Sequence, residues 1–490
     1  MNKKILAAIG IIFALTLGLM VFTAGADELD ITVESSDGYS TEVITDDDAM
    51  TTDYYMKDTV LTIRSEQDIS SVYIKWDTEP GGYNLTVNGK DTLCGQHNFL
   101  HEYIKLEETS KEVKITIPKD RVYVADVYAF SEGTLPDWVQ IWDDPCEKAD
   151  FLIFSAHSDD EILFMGSIAP TYLNKGDYSI QVAYYVDFTK EGVSGTEMYR
   201  RHELLDGLWT LGITHYPQFG EFADQYSRYS LEEAEALEDV DAATEYVVRT
   251  IRRFKPQVLV SHDEDGEYGH GQHIFLSKLV RDAIELAADD SKYTSSANMY
   301  GTWDVPKTYL HLYKENEIVI DARVPLSKYG GRTALEVARE AYSKHLSQQW
   351  MDFYVSDGLD DDGNPTDYEY SFARFGLYRS LVGPDTGNDM MENLTPYAQQ
   401  QEEPETTEPE SETETGTEEE TTTAAAPERG EQKGPGTIVI ILIIVAAVVV
   451  VFFAVLLIIS AYKKKKRRER ELARRRKIQK MREMNRKRQQ

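Results

Sequence analysis

Phe151-Leu-Ile-Phe-Ser-Ala-His-Ser-Asp-Asp-Glu161 is the stretch on which the reading of this 490-residue chain turns. Its first half is apolar and ends in small residues, the pattern of a buried parallel strand that stops at a working edge. Its second half places His157, Asp159, Asp160 and Glu161 in five positions. A plain surface turn rarely follows a buried strand with so many ionisable groups. In an open α/β sheet, ligands bind at the carboxyl ends of the strands.

A second stretch completes the pattern. Pro256-Gln-Val-Leu-Val-Ser261 is another short apolar strand, and His262-Asp-Glu-Asp-Gly-Glu-Tyr-Gly-His-Gly-Gln-His273 follows it. The glycines make a loop, and a helical pattern resumes at Gly271. His270 and His273 are thus about one turn apart at a helix start and can share a face. Two histidines and a carboxylate from the ends of two strands make a three-ligand site with one position open. For zinc this is the catalytic pattern, not the closed structural one.

At these residues the sequence resembles the PIG-L/LmbE-like de-N-acetylases, over about residues 148–347. The first family motif, Ala-His-Pro-Asp-Asp-Glu, is here Ala156-His-Ser-Asp-Asp-Glu161. The second, Gly-His-Pro-Asp-His, is here Gly269-His-Gly-Gln-His273. The resemblance implies a Rossmann-like fold and a zinc-dependent N-acetylglucosaminyl deacetylase. It implies one Zn²⁺ per chain, held by His157, Asp160 and His273. Asp159 would be the general base, and a protonated His270 would stabilise the transition state. Arg200 and Glu203 form a similar Arg-x-x-Glu, and Lys344-His-Leu-Ser-Gln348 resembles a late His-x-Ser-Gln. Arg200 and His345 are therefore candidates for the substrate pocket, with pairing to an acid as the alternative for Arg200. Two residues depart from the pattern. Ser158 replaces a proline, which a turn tolerates. Gln272 replaces an aspartate, and if that aspartate orients or charges His270, a neutral amide weakens the effect.

Each site residue also has a plainer reading. Asp159 or Asp160 alone could cap a helix, and His270 could cap or pack. His262 and Asp263 read as loop hydrogen-bonders, and Asp265, Glu267 and Tyr268 as shapers of the loop. His202, His215 and His311 read as structural. No Gly-x-Gly-x-x-Gly follows the first strand, and no Gly-x-Ser-x-Gly occurs, so dinucleotide binding and a serine nucleophile are rejected.

The rest of the chain reads as six segments. Residues 1–26 have two early lysines, an apolar run and Ala24-Gly-Ala26, the pattern of a signal peptide. Residues 27–147 carry short alternating runs such as Thr59–Arg64, Ser71–Trp76 and Glu112–Ile117, which predict an antiparallel β-sandwich. The layout is similar to discoidin-like modules, with Trp76, Tyr83, Trp138 and Trp142 available for sugar stacking or for packing. Residues 148–384 alternate strands and helices, which predicts a doubly wound, mostly parallel sheet. Residues 385–436 end in a Glu/Thr/Pro-rich stalk with little to bury. Residues 437–462 are apolar enough to span a bilayer. Residues 463–490 carry 16 Lys/Arg against 3 Glu, which orients the tail to the cytoplasm.

Together these predict a single-pass cell-membrane protein with its catalytic domain outside. The formal net charge is −34 despite the basic tail, so the outside part is strongly acidic. That argues against nucleic acid as a partner and is compatible with an N-acetylated amino-sugar glycan or glycolipid. Cys94 and Cys146 permit one disulfide in an exported protein. Two other functions fit the same residues. One is a catalytically faded domain that only binds glycans. The other is a different mononuclear metalloenzyme, since two histidines and a carboxylate also hold Fe(II).

Overall fold

The computed structural model describes residues 25–190, 197–225, 230–349 and 353–400. Residues 1–24 of the expected signal, the stalk from 401, the apolar run and the basic tail lie outside the described residues. Gly25 and Ala26, assigned above to the signal, are part of the fold: Gly25 bridges to Thr134, and the Ala26 amide donates to the Thr134 carbonyl at 2.8 Å.

The N-terminal region is all antiparallel. Its strands are β1 (Ile31–Ser35), β2 (Asp53–Tyr55), β3 (Val60–Trp76), β4 (Tyr83–Val87), β5 (Lys90–Cys94), β6 (His101–Thr116) and β7 (Val122–Phe130). They form one sheet in the order β2-β7-β3-β6-β4-β5, with β1 added on β3. The expected runs 59–64 and 71–76 are the two ends of β3, joined through irregular register between Arg64 and Ser71. The first half of β3 pairs with β1 and the second with β7. Hydrogen bonding is therefore continuous through the whole β region. Trp76 and Tyr83 are core: the Trp76 indole N–H and the Tyr83 hydroxyl both donate to Glu102. Neither is open to a sugar. Cys94 and Cys146 are both free thiols, so the disulfide that an exported protein would permit is not formed between them.

The second region is built on β8 (Phe151–Ser155), all five residues buried. After it come α1 (Asp160–Leu163), α2 (Ile168–Lys175), β9 (Ile180–Tyr184), α3 (Tyr199–Leu211), α4 (Leu231–Leu237), α5 (Val240–Phe254), β10 (Val258–Ser261), α6 (Gly271–Ala288), α7 (Thr294–Tyr300), β11 (Lys307–His311), β12 (Glu317–Val319), α8 (Ala334–Tyr342) and β13 (Arg374–Ser380). The sheet order is β12-β13-β11-β10-β8-β9. The four strands β11, β10, β8 and β9 are parallel, β13 pairs antiparallel with β11, and β12 pairs antiparallel with β13.

Local chemistry explains the helix boundaries. Asp239 caps α5 through the Ala242 amide, and Thr333 with Glu336 forms a capping box on α8. Gly212, at φ 87°, ends α3 in the left-handed conformation that glycine adopts most cheaply. The single helix expected over Ile162–Asn174 is two, α1 and α2. Gly166 lies between them, where a Cβ would sit 2.5 Å from the Ile162 carbonyl oxygen.

β8 has β9 on one side and β10 on the other, so the chain reverses its winding there. The carboxyl ends of β8 and β10 flank the switch point at which such sheets leave a crevice. The fold also runs past the expected boundary at 384. Lys307 pairs with Asp385 in the core, Tyr172 donates to Asp389, and the Tyr397 amide donates to Asp150 at 2.8 Å. Residues 385–400 thus close the second region and are not stalk.

Both described regions lie in one compact unit. A polar chain crosses between them. Asp77 faces His202 on α3, His202 Nδ1 faces His101 Nε2 at 2.8 Å, and His101 Nδ1 faces Gln140. Trp142 packs edge-on against Trp209 and Tyr216 at the same contact, whereas Trp138 lies on Tyr128 and Tyr73 of the β region.

Candidate metal centre

Five ionisable side chains from the ends of β8 and β10 converge at the switch point. His157 Nδ1 lies 3.0 Å from Asp160 Oδ2 and 3.2 Å from His273 Nε2, and His273 Nε2 lies 3.0 Å from Asp160 Oδ2. The three atoms form a near-equilateral triangle with all three side chains buried. A tetrahedral ion with bonds of about 2.1 Å holds its ligands roughly 3.4 Å apart, so the triangle needs little expansion to take one.

The outer nitrogens show which faces are free to bind. His157 Nε2 faces the Gln272 amide oxygen at 3.0 Å, and His273 Nδ1 faces Glu267 Oε2 at 2.8 Å. Each ring therefore donates outward and turns its lone pair to the triangle, the arrangement that fixes a ligating histidine. His262 also approaches Asp160. Its Nε2, however, accepts the Ala156 amide at 2.9 Å, and its Nδ1 faces Glu267 at 2.6 Å. Its lone pair is thus committed to backbone.

Gln272 does not do what its motif position suggested. It holds His157, not His270. Its amide nitrogen donates to the Ala223 carbonyl and to Glu238, so its orientation is fixed. An amide oxygen is an adequate acceptor for an imidazole N–H, and the departure from aspartate leaves this support intact.

Asp159 stands beside the triangle. It is the N-cap residue of α1 but makes no side-chain cap, so the plain capping explanation fails. Its backbone sits at φ 143°, a conformation that L-residues rarely adopt. Strain of this kind persists only where the surroundings enforce it. Here the Asp159 amide donates to Glu161 at 3.0 Å, and Arg200 Nη2 donates to the Ser158 carbonyl at 3.0 Å and to Asp159 Oδ1 at 3.3 Å. Burial pushes the Asp159 carboxyl up to about 7, against the pull of Arg200. Only the backbone carbonyl of Ser158 is used in these contacts, which is why proline can be replaced.

Arg200 is buried and lies over the Phe188 ring. It is a holder of Asp159 more than an open pocket residue. The His270 ring is 4.9 Å from that of His157 and 4.8 Å from that of His273. Burial, with His273 and His157 adjoining, pushes its pKa down to about 2. These surroundings favour the neutral ring in the metal-free site, where the family resemblance implies an imidazolium. His345 is fully buried, stacked on Tyr342, with neither ring nitrogen partnered. It sits against Gly207 of α3, where a Cβ would lie 2.8 Å from its Nε2. It is a packing residue and does not line an open pocket. Glu203 does not pair with Arg200; it accepts the amide and hydroxyl of Ser347.

Glu267 and His311 were read as ordinary. Glu267 is fully buried and receives three histidines: His262 and His273 on one oxygen, His311 on the other at 2.7 Å. Burial would raise its carboxyl, but His262 and the three hydrogen bonds hold it well below the usual range. His311 comes from β11, far off in sequence, and no local spacing announced it.

Residues 152–284 match the family described as PIG-L: GlcNAc-PI de-N-acetylase, so the chain carries a PIG-L domain there. It is similar to mycothiol S-conjugate amidase of Streptomyces coelicolor, 51% identical over 67 residues, 14% of this chain and 22% of that one. It is also similar to 1D-myo-inositol 2-acetamido-2-deoxy-alpha-D-glucopyranoside deacetylase of Streptomyces scabiei, 34% identical over 119 residues, 23% of this chain and 36% of that one. These matches span between about a fifth and just over a third of those relatives. Among solved structures, N,N'-diacetylchitobiose deacetylase from Pyrococcus horikoshii aligns with a TM-score of 0.30 at 16% identity, over 45% of this chain and 75% of that one.

Proposed function

We propose that the chain is a metal-dependent hydrolase that removes the acetyl group from an N-acetylglucosamine-type sugar or glycoconjugate. The triangle of His157 Nδ1, Asp160 Oδ2 and His273 Nε2, with Asp159 held beside it, carries this reading. The relatives named for N-acetyl-sugar and amide cleavage support the substrate class.

His157, Asp160 and His273 are the residues that would hold one Zn²⁺. When bound, such an ion polarises a carbonyl and lowers the pKa of a water in its open position towards about 7. Asp159 takes a proton from the attacking water, with Arg200 keeping its carboxylate charged and aimed. Attack on the acetamide carbonyl puts negative charge on that oxygen, and His270, as a neutral donor, is placed to stabilise it. Asp159 then returns its proton to the departing amine nitrogen as the C–N bond breaks. Acetate and a free amino sugar leave.

Acetate release by the full chain from a panel of N-acetylated sugars and cell-wall glycans is the test. Activity is expected to vanish with chelator, to return with Zn²⁺, and to be absent in His157→Ala. Zinc-loaded protein that releases no acetate from any of them would favour the glycan-binding alternative. Metal analysis of protein purified without added metal separates zinc from iron.

The protein is further proposed to be anchored at the cell surface by residues 437–462. The run of uncharged residues there and the basic stretch after it support this. Among the described residues no helix is long and apolar enough to cross a membrane. Protease added to intact cells should release the 25–400 unit while the tail stays with the membrane. Protection of that unit would reverse the orientation.

A further inference from the structure

A cavity of about 560 Å³ opens between the β region and the PIG-L domain, apart from the metal centre. Its size is that of an ordinary small-molecule site. Arg201 lines it from α3, and Lys119 lines it from the β region. Arg200 and Arg201 are consecutive, but their fates differ. Arg200 turns to Asp159, whereas Arg201 turns to the cleft.

Arg201 is only 6% exposed, its Nε has no hydrogen-bond partner, and its guanidinium lies 4.4 Å over the Phe219 ring. Among the described residues it has no carboxylate partner. A guanidinium stays charged at any ordinary pH. Burying one without a counter-ion is costly, and a ring face offsets only part of that. A carboxylate matches its fork with two parallel hydrogen bonds.

The rest of the lining limits the charge of the guest. Glu79, Asp187 and Glu221 also face the cleft. Glu221 is engaged by Arg249 and Asp187 by Thr189, whereas Glu79 remains to accept from hydroxyl groups. A dianion would meet too much negative charge, whereas a monoanion carried on a hydroxyl-rich frame would not. We propose that the interdomain cleft binds a sugar bearing a single carboxylate, gripped by Arg201 from the PIG-L side and Lys119 from the β side. The site would give the enzyme read above an acidic sugar to hold near its acetamido sugar. The binding itself does not depend on hydrolysis.

Calorimetric titration of the full chain with glucuronic acid tests this, with glucose and inorganic phosphate as controls. Saturable glucuronate binding is expected, at least tenfold tighter than glucose and tighter than phosphate. Arg201→Gln should weaken it at least tenfold, and Lys119→Gln several-fold. Lys119 is exposed, so its variant decides the matter if Arg201→Gln does not fold. Glucuronate no tighter than glucose, or unchanged in the folded variants, overturns the proposal, and so does tighter binding of phosphate. Acetate release is not read in this experiment, so a wrong reading of the metal centre would leave its result intact.

Discussion

Replacing Asp159 with asparagine is expected to lower kcat for acetate release by about 10²–10⁴-fold, the usual worth of a positioned general base, while bound zinc is retained. The amide has the shape of the carboxylate and can still face Arg200, but it cannot take a proton from water. Asp159 is not part of the triangle, so metal affinity should barely move. Asp160→Asn is the contrasting variant. It removes a charged corner that lies 3.0 Å from both His157 Nδ1 and His273 Nε2. It should therefore lose the metal first and activity as a consequence. Measuring zinc content and kcat on both proteins separates a base from a ligand. An Asp159→Asn protein with undiminished kcat would remove the base from the mechanism and leave its strained backbone unexplained.

Those two neighbours show what the sequence could reveal and where it stopped. A hydrophobic run ending at Ser155, followed by His157 and two aspartates, announces a strand edge with ligands because both signals are local. The same holds for His270 and His273 on the first turn of α6. Glu267 sits six residues before His273 and looks like one more loop acid. Its role depends on His311, which β11 delivers from the far side of β10. The antiparallel strand β13 and the closing residues 385–400 were missed for the same reason. Their value lies in partners such as Lys307 and Asp150, more than 70 and 240 residues away in sequence. Gln272 was assigned the wrong partner because a motif gives spacing but not side-chain direction. From the first turn of α6 its amide reaches His157 across the crevice.

Glu267→Gln is expected to lower zinc affinity about 10–100-fold, the usual cost of losing a partner that orients a ligand, and to lower the melting temperature as well. The carboxylate offers two acceptor oxygens to four donors: the ring nitrogens of His262, His273 and His311, and the Asp263 amide. His262 cannot turn its ring to compensate, because its other nitrogen already accepts the Ala156 amide. His311 Nε2 donates to the Ser371 carbonyl, and the Asp263 amide beside it has no means of accepting. A glutamine must therefore aim its NH₂ either at the oxygen position shared by His262 and His273 or at the one shared by His311 and the Asp263 amide, and in each case at least one donor loses its acceptor. Breaking such a network costs on the order of 3 kcal/mol. If His273 loses its partner, its lone pair is no longer held towards His157 and Asp160, so stability and metal affinity should fall together. Competition with a chromophoric chelator gives the affinity, and thermal unfolding of metal-free protein gives the stability. Unchanged affinity in a destabilised protein would make Glu267 a core residue only. Loss of both would make it the part of the centre that presets its geometry before any metal arrives.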